Sequence, residues 1–486
     1  MIFNKKIGIW GFGVVGKAAC TYLYPHAASL EVLEAKEPTI SDQKLLQEKN
    51  IPLYKQENYL ATFLEHNDYI LASPGIDLRP YAAYAHKWIT ELDVLQEFFK
   101  KPIIAVTGSV GKTSVTSMLS QLMQHGPVRW YTGGNIGAGM LELLANRDEF
   151  DAALLEVSSF QLEQCRTFGP DLAIWTTFYP NHLDRHGSLQ NYFDAKFTMI
   201  KHQTASQIAL VPITLLPHIQ HKTIQSQLCF FSAQKISATQ RNELSPCRVF
   251  CLEENNIVLY HQGVRTEIFG DRLPAMSFKE NWLMVISTLF LIHDFFAMPQ
   301  YVNRIYALCD AITLPEHRLE KVAMYHIPAH GECPSASEGV SNHTNGSTRL
   351  TTNGVVIYND SKSTTIESTL AAVQQLQGGS PITIFLGGLS KGVNREPLIK
   401  ALKDKVVAIY CFGKEAEQLK SWADGSEISA WSFANLDEAV AACIQNTKEP
   451  AQILFSPAGS SYDLFKNYIE RGTRFKELVK KHYFCD

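Results

Sequence analysis

Regular cysteine spacings, blocks of basic residues and long hydrophobic segments are all missing from this chain of 486 residues. Its ten cysteines are scattered, with no CxxC pair. A disulfide framework is therefore not expected, and the pattern is typical of a reducing compartment, so we expect a cytoplasmic protein. A chain of this length can bury enough apolar surface to fold without cross-links.

An excess of charge of either sign is also missing. The chain has 44 Lys and Arg residues against 48 Asp and Glu residues, a formal charge of −4. Because binding to nucleic-acid phosphates requires clustered basic residues, we expect no nucleic-acid partner. The longest mostly apolar stretch, Trp282–Ile292, is eleven residues long. About 20 are needed to cross a bilayer, so we expect no membrane segment.

Three blocks along the chain repeat one pattern, an apolar segment followed by a Gly-rich or polar loop and then a helical segment. The predicted strands are Lys6–Trp10, Leu30–Leu33 and Tyr69–Ala72, then Ile103–Val106, Asp151–Leu155 and Leu172–Trp175, and finally Val355–Tyr358, Ile382–Leu386, Val406–Cys411 and Gln452–Ser456. This alternation predicts an α/β protein with three domains, at residues 1–98, 99–312 and 313–486. The polar segment His326–Asn353 is predicted to be an extended surface loop.

The first Gly-rich loop is Gly11-Phe12-Gly13-Val14-Val15-Gly16, between a predicted strand and a helical segment. Glycines at these spacings permit a tight turn and bring helix N–H groups close to a pyrophosphate. Glu34 ends the second strand 18 residues after Gly16. An acid about 20 residues on is typical of ribose binding. The loop predicts a nucleotide-binding, Rossmann-like domain, and the alternative is a Gly-rich turn that serves packing alone.

The second loop, Gly108-Ser109-Val110-Gly111-Lys112-Thr113, follows the predicted strand Ile103–Val106. In the usual phosphate-loop spacing the first glycine would fall at Val106, so this loop is a variant. The chemistry is retained, because backbone N–H groups can surround phosphates, Lys112 can reach the β- and γ-oxygens and Thr113 can bind Mg²⁺. We therefore expect phosphate binding here.

Three further candidates are weaker by themselves. Glu156 ends a predicted strand beside the phosphate loop, where a metal ligand is expected, although a surface carboxylate is equally consistent. His182 lies in the polar segment Asn181–His186, for which a solvated turn is the simpler interpretation. Lys196 lies in a helical segment and by pattern alone is a surface lysine.

The presence of both loops in one chain excludes several classes of nucleotide-binding protein. A simple dehydrogenase has no need of the second loop, and a plain NTPase has no need of the first domain. The pair therefore predicts an ATP-driven enzyme that acts on a nucleotide-linked substrate.

The chain resembles the ATP-dependent Mur ligases of peptidoglycan synthesis over essentially its whole length, and among them the members that add D-glutamate. The motifs that carry the resemblance, besides the two loops, are Ala72-Ser73-Pro74-Gly75-Ile76, Gly134-Asn135-Ile136-Gly137, Leu155–Glu163, His182-Leu183-Asp184-Arg185, His317-Arg318-Leu319-Glu320, Asn359-Asp360-Ser361-Lys362 and Ser456-Pro457-Ala458. The resemblance implies a Rossmann-like N-terminal domain, a P-loop-type central ATPase domain and a Rossmann-like C-terminal domain. It also implies a monomer that uses ATP and Mg²⁺.

The resemblance further implies roles for individual residues. Those implied for ATP are Gly108, Ser109, Val110, Gly111, Lys112, Thr113, Ser114, Asn281, Arg318 and Asp360. Those implied for Mg²⁺ are Thr113, Glu156, His182 and Lys196, the last as a carbamate formed with CO₂. The implied catalytic residues are Lys112, Glu156, His182 and Lys196.

The implied reaction joins D-glutamate to UDP-N-acetylmuramoyl-L-alanine. ATP phosphorylates the L-alanine carboxylate, and the amine of D-glutamate attacks the acyl phosphate. The residues implied for the UDP-linked substrate are Val14, Val15, Glu34, Lys36, Ser73, Gly75 and Asn135. Those implied for D-glutamate are Lys362, Thr364, Lys391, Ser461 and Tyr468.

The chain departs from the family pattern at several positions, and three alternatives stay open. Val110 and Thr177 replace asparagines, and Asn181 replaces an acid. A folate-polyglutamate ligase would share the phosphate loop but lack the Gly11–Gly16 domain. A nicotinamide-dependent oxidoreductase would leave Gly108–Thr113 unexplained. A binding protein without activity is the third alternative, because of Asn181.

Overall fold

The structure is a computed structural model that describes residues 2–135, 139–270, 279–296, 308, 311–313, 315–325, 354–448 and 450–483, with the backbone alone at residues 294–296, 325 and 483. The predicted surface loop His326–Asn353 lies outside the described residues, as do Ile136 and Gly137 of one family motif.

The N-terminal residues form a parallel sheet of five strands in the order β3-β2-β1-β4-β5. Its elements are β1 (Lys6–Trp10), α1 (Val14–Leu23), β2 (Ser29–Glu34), α2 (Ile40–Glu48), β3 (Leu53–Lys55), α3 (Gln56–His66), β4 (Tyr69–Ala72), a 3₁₀ helix (Arg79–Lys87), β5 (Trp88–Ile89) and α4 (Glu91–Phe98). Val32 and Leu71 belong to one apolar cluster, and their neighbours Leu33 and Ile70 belong to another. Because successive side chains of a strand point to opposite faces, apolar residues cover both faces of this sheet.

The second sheet has nine strands in the order β14-β13-β12-β11-β10-β9-β6-β8-β7. The elements of this part of the chain are β6 (Ile103–Thr107), α5 (Lys112–Met123), β7 (Trp130–Gly134), α6 (Met140–Ala145), a 3₁₀ helix (Arg147–Glu149), β8 (Ala152–Glu156), α7 (Ser159–Leu162), β9 (Leu172–Trp175), α8 (Leu183–His186), α9 (Leu189–Lys201), β10 (Ile208–Pro212), a 3₁₀ helix (Ile213–Leu215), α10 (Leu216–Ile219), β11 (Gln227–Ser232), α11 (Ala238–Glu243), β12 (Arg248–Glu253), β13 (Asn256–His261), β14 (Val264–Phe269) and α12 (Lys279–Phe296). All neighbours are parallel except β12 with β13 and β13 with β14. Val106 pairs with both Glu156 and Ile174, so the carboxyl ends of β6, β8 and β9 lie side by side.

The third sheet has six strands in the order β15-β16-β20-β17-β18-β19, and only β15 is antiparallel to its neighbour. Its elements are β15 (Glu320–Tyr325), β16 (Val355–Asn359), α13 (Ile366–Leu376), β17 (Ile382–Gly387), α14 (Glu396–Leu402), β18 (Ala408–Phe412), α15 (Ala416–Gly425), β19 (Ala430–Phe433), α16 (Leu436–Asn446), β20 (Ala451–Phe455) and α17 (Tyr468–Tyr483). Ile384 and Leu454 belong to one apolar cluster, and Phe385 and Phe455 belong to another. This sheet is also covered on both faces.

The chain divides into two compact units. The first, Met1–Phe178 with Gln190–Thr313, contains the five-stranded and nine-stranded sheets. The second, Tyr179–Leu189 with Leu314–Asp486, contains the six-stranded sheet. The predicted α/β class is confirmed, and the domain bounds 1–98, 99–312 and 313–486 stay a prediction.

The predicted strands correspond closely to the observed ones. Lys6–Trp10 has identical bounds, whereas the strand predicted at Val406–Cys411 is Ala408–Phe412. The amide of Val406 instead donates to Leu402 at the end of α14, because the chain must leave that helix before the strand can begin. In the part of the chain that the structure describes, no helix combines the length and apolar character needed to span a membrane.

Candidate functional site

The loop Gly108–Thr113 connects β6 to α5, which begins at Lys112. Gly108 has a φ of +145°, and a Cβ there would lie 2.0 Å from the Thr176 hydroxyl oxygen and 2.9 Å from the Thr177 nitrogen. A side chain at position 108 is therefore excluded by both conformation and space. The loop leads into the N-terminus of a 12-residue helix, where the helix dipole and the N–H groups of the first turn favour anions.

Two threonines that follow β9 hold this loop. The backbone N–H groups of Ser109 and Val110 donate to the carbonyl and the hydroxyl of Thr177, at 2.9 and 2.8 Å. The hydroxyls of Thr176 and Thr177 both donate to the carbonyl of Val110. Val110 and Thr177, which both depart from the family pattern, thus contact each other directly. Sequence reasoning missed this role, although two polar residues directly after a buried strand that neighbours β6 are a usable signal.

The Lys112 side chain lies over the loop that it terminates. Its Nζ donates to the carbonyl of Gly108 at 2.9 Å and to that of Ser109 at 3.5 Å. Thr113 and Ser114 follow it in the first turn of α5, and both are buried. The predicted phosphate-loop residues are therefore brought together at one helix N-terminus.

Lys196 is buried beneath the phosphate loop, with 1% of its surface exposed. Its Nζ donates to the Gly108 carbonyl at 3.0 Å and lies 4.7 Å from the centre of the Tyr192 ring. Burial, and then the charge of Lys112, lower the pKa of Lys196 well below its ordinary value, while Glu156 acts in the opposite direction. The interpretation of Lys196 as a surface lysine is wrong, because helix α9 carries it against the base of the loop.

Glu156 ends β8 and is also 1% exposed, so it is not a surface carboxylate. Its Oε1 accepts a hydrogen bond of 2.9 Å from the Asn135 side chain. Its Oε2 is buried and has no hydrogen-bond partner among the described residues. A buried carboxylate oxygen without a partner is costly, and a cation bound there would satisfy it.

His182 belongs to the second unit, in the segment Tyr179–Leu189. It has a φ of +54° and precedes the short helix α8. Its backbone N–H donates to the side chain of Asn181 at 3.0 Å, so Asn181, which replaces an acid, fixes the local backbone. Nowhere in the described ranges do three His, Cys, Asp or Glu side chains cluster as metal ligands would.

The residues predicted for the ATP base and ribose lie in both units. Asn281, on α12 in the first unit, has its Oδ1 3.4 Å from the position of a Cβ on Gly111. Arg318 and Asp360 belong to the second unit. Asp360 is buried and accepts from the Ser456 hydroxyl and the Leu319 amide, at 2.9 and 3.1 Å. Burial raises the pKa of Asp360 to about 6.

The first Gly-rich loop is held by Glu34. The Glu34 carboxylate accepts from the backbone N–H groups of Phe12, Ala35 and Lys36, at 2.6, 2.8 and 3.0 Å. Burial acts to raise the pKa of Glu34, but these hydrogen bonds outweigh it and lower the pKa. A Cβ on Gly16 would lie 2.1 Å from the Gly11 carbonyl oxygen, so the turn requires glycine there.

The other residues predicted for the UDP-linked substrate surround this turn or lie beside Glu156. The Ser73 hydroxyl donates to the Gly11 carbonyl at 3.2 Å, and a Cβ on Gly75 would meet no atom within 4 Å. The Val14 side chain is 75% exposed at the start of α1, although it is apolar. Asn135, the remaining member, contacts Glu156 and not this turn.

The residues predicted for D-glutamate lie in the second unit, and four of them are in contact as two pairs. The Lys391 Nζ donates to the Thr364 hydroxyl at 3.1 Å, and the Lys362 Nζ lies 3.8 Å from the centre of the Tyr468 ring. Ser461 is buried, six residues after the end of β20. Lys362, Thr364, Lys391 and Ser461 lie in loops that leave the carboxyl end of the third sheet, where ligands of parallel α/β sheets bind, and Tyr468 begins α17.

Comparison with known proteins identifies relatives along the whole chain. Residues 106–261 match the Mur ligase middle domain. A UDP-N-acetylmuramoylalanine--D-glutamate ligase from Desulfotalea psychrophila is 30% identical over an alignment 486 positions long, which covers 98% of this chain and 96% of that protein. An enzyme of the same name from Geotalea daltonii is 29% identical, with 99% of this chain and 98% of that protein covered.

Solved structures share the fold. A pseudomurein peptide ligase type C from Methanothermus fervidus matches with a TM-score of 0.55 and 14% identity, covering 99% of this chain and 100% of that one. A MurF ligase from Thermotoga maritima in complex with ADP matches with a TM-score of 0.53 and 14% identity, covering 99% and 96%. Since the phosphate loop lies within the matched middle domain and the D. psychrophila relative aligns along almost all of both chains, the chain belongs to the Mur ligase family.

Proposed function

We propose that this chain is an ATP-dependent ligase that joins D-glutamate to UDP-N-acetylmuramoyl-L-alanine in the synthesis of peptidoglycan precursors. The observation that carries the proposal is the phosphate loop Gly108–Thr113 with the buried Lys196 beneath it and the buried carboxylate of Glu156 at the end of the strand next to β6. Relatives aligned over nearly the whole chain are named for this reaction, which supports the choice of substrates.

The proposed chemistry activates a carboxylate that is otherwise unreactive towards amines. The L-alanine carboxylate attacks the γ-phosphate of ATP, ADP leaves, and the amine of D-glutamate then displaces phosphate from the acyl phosphate. Phosphoryl transfer depends on alignment and on neutralising charge. Lys112 and the N-terminus of α5 supply positive charge and N–H donors for this purpose. For the ATP base and ribose we propose Asn281, Arg318 and Asp360.

The residues present fit a hard cation such as Mg²⁺. Glu156 offers a buried carboxylate oxygen that lacks a hydrogen-bond partner among the described residues, and Thr113 offers a hydroxyl. When bound, Mg²⁺ would neutralise charge on the phosphate oxygens. We also propose His182, in the second unit, as a ligand.

Lys196 fits the proposed carbamate. Its ammonium form would repel a cation, whereas a carbamate supplies an anionic oxygen. A carbamate forms when a neutral amine attacks CO₂ and loses a proton. The lowered pKa of Lys196 favours the neutral amine that this reaction needs.

We assign residues 1–98 to the UDP-linked substrate, 99–312 to ATP and 313–486 to D-glutamate. The parallel order β3-β2-β1-β4-β5 supports a Rossmann-like N-terminal domain. Glu34 acts there by holding the loop through three backbone N–H groups. The N-terminus of α1, at Val14 and Val15, would face the substrate, together with Lys36, Ser73, Gly75 and Asn135.

The proposed D-glutamate residues suit a ligand with two carboxylates. Lys391 and Lys362 supply cations, and Thr364 and Ser461 supply hydroxyl donors. The amine of D-glutamate must be deprotonated before it can attack. A carboxylate close to it would raise the pKa of the amine and so hinder this step. Tyr468 completes this proposed set.

Measurement of ADP release tests the function. We expect sustained release only when both UDP-N-acetylmuramoyl-L-alanine and D-glutamate are present. We expect omission of D-glutamate to stop turnover, because the acyl phosphate then has no acceptor. A better rate with L-alanine, L-lysine or meso-diaminopimelate would contradict the choice of amino acid. Oxidation of NADH without ADP release would contradict the reaction class.

Replacing Lys391 by alanine is expected to raise the apparent KM for D-glutamate far more than that for ATP. One charge-assisted hydrogen bond contributes about 1.5–3 kcal/mol, or roughly 10- to 150-fold. Steady-state kinetics with each substrate varied in turn measures the change. The matched control is Lys400→Ala, which removes an exposed lysine paired with Glu396 in the same unit. Equal KM values for D-glutamate in the wild type and Lys391→Ala would refute the assignment.

A further inference from the structure

Two buried arginines lie beneath the loops that carry the proposed D-glutamate residues. Arg395, at the start of α14, is 1% exposed, and Arg471, on α17, is 0% exposed. Neither is part of the motifs from which the site was predicted. A guanidinium is costly to bury unless its donors are engaged. Each nitrogen of the two guanidinium groups donates to an acceptor except Nε of Arg395, which is buried and has no hydrogen-bond partner among the described residues.

Arg395 holds the turn that leads to Lys391. Its Nη1 and Nη2 donate to the carbonyls of Gly387 and Gly388 at 2.9 Å each, and Nη2 also donates to Oε2 of Glu415 at 2.6 Å. The other oxygen of Glu415 accepts from the backbone N–H of Ser390 at 3.0 Å. The end of β17 and the residue before Lys391 are thereby joined to one ion pair.

Arg471 joins two loops to α17, the helix that carries it. Its Nη2 and Nε donate to the carbonyl and the hydroxyl of Ser361, at 2.7 and 3.1 Å, and its Nη1 donates to the Gly459 carbonyl at 2.9 Å. The Ser361 hydroxyl in turn donates to the Tyr468 carbonyl at 2.8 Å. The guanidinium therefore joins the loops after β16 and β20, and the Ser361 hydroxyl links it to the first residue of α17.

The two sets of contacts meet between the loops after β17 and β20. Leu389 and Ser460 exchange two backbone hydrogen bonds of 2.9 Å. A Cβ on Gly459 would lie 2.3 Å from the Gly387 carbonyl oxygen and 2.7 Å from Nη1 of Arg395. Glycine at 459 therefore permits the loops to touch, and the network formed by Arg395, Arg471, Glu415 and Ser361, here called the arginine network, is continuous.

We propose that Arg395 and Arg471 are positioning residues for the amino-acid acceptor, acting through the loops that they hold. The five residues proposed to bind D-glutamate all lie within three positions of a residue in these contacts; they are Lys362, Thr364, Lys391, Ser461 and Tyr468. A binding site loses affinity when its side chains shift by even about 1 Å, so loosening the network weakens acceptor binding. The inference rests on the proposed function, since the acceptor is taken to be D-glutamate.

Two small substitutions test the network without removing a buried arginine. Glu415→Gln keeps the side-chain shape but leaves one acceptor oxygen for two donors, the Arg395 guanidinium and the Ser390 amide. Ser361→Ala removes the hydroxyl that links Arg471 to Tyr468. Each is expected to raise the apparent KM for D-glutamate about tenfold, the effect of one charge-assisted hydrogen bond. The KM values for ATP and for the UDP-linked substrate should change less than about twofold.

Two control variants separate positioning from stability. Val479→Ala makes a cavity beside α17 at a buried core position, and Glu427→Gln removes an exposed carboxylate paired with Lys403. The thermal unfolding midpoint is measured for every variant. We expect Val479→Ala to lower the midpoint without changing the KM for D-glutamate. Unchanged KM values in both network variants would overturn the inference, as would an equal rise in Val479→Ala.

The Lys391→Ala variant distinguishes failure of this inference from failure of the proposed pocket. If Lys391→Ala raises the KM for D-glutamate and the network variants do not, the pocket stands and the positioning role is refuted. If none of the three changes it, the pocket itself is wrong and the inference falls with it. A rise in all three supports both.

Discussion

Replacing Lys112 by alanine is expected to reduce ATP-dependent ligation by on the order of 10³-fold while leaving the fold intact. The Lys112 ammonium donates to the carbonyls of Gly108 and Ser109, which places its charge over the loop where phosphates would bind. The loop itself is held by Thr176 and Thr177, so its conformation does not depend on the lysine. ADP release measures the loss, and circular dichroism measures the fold.

The matched control for this experiment is Lys100→Ala. Lys100 is an exposed lysine of the same unit that donates to a helix carbonyl, that of Gln96. Its removal should leave the rate within about twofold, as is usual for surface positions. Activity of Lys112→Ala close to that of Lys100→Ala, with both variants folded, would contradict the assignment of the phosphate loop.

Replacing Lys196 by alanine is expected to abolish most activity and to make the remainder dependent on small carboxylates. The truncated side chain leaves space beneath the loop, beside the Gly108 carbonyl that Nζ contacts at 3.0 Å. Acetate or formate can place an anionic oxygen in that space, where the proposed carbamate would lie. Rates are measured against increasing acetate, formate and, as an ionic-strength control, chloride.

Lys201→Ala provides the comparison for this second prediction, because Lys201 ends the same helix, α9, and is exposed. It should retain activity and show no response to carboxylates. Full activity of Lys196→Ala would exclude the carbamate. An inactive variant that acetate and formate do not rescue would also count against it and would favour a purely electrostatic role for the buried lysine.

Much of the fold is predictable from local sequence. The strands predicted at Lys6–Trp10 and Leu172–Trp175 are β1 and β9, with the same bounds. Such elements are encoded by short apolar runs and by the turns that flank them. The phosphate loop is predictable for the same reason, because its glycines lie within one short segment. In the structure Gly108 and Gly111 both adopt the positive φ values that glycine permits.

The sequence alone determined the α/β class, the two Gly-rich loops and their order along the chain, because each depends on neighbouring residues. The tertiary structure decided which polar side chains are buried together. Lys196 donates to a carbonyl 88 residues away, and Arg471 donates to one 110 residues away. Thr177 holds the Val110 amide across 67 positions. Pattern and spacing indicate that polar residues follow the strands, but they do not identify the pairs. The parallel packing of β6 with β8 and β9, and of β16 with β20 and β17, decides which loops meet at the end of each sheet.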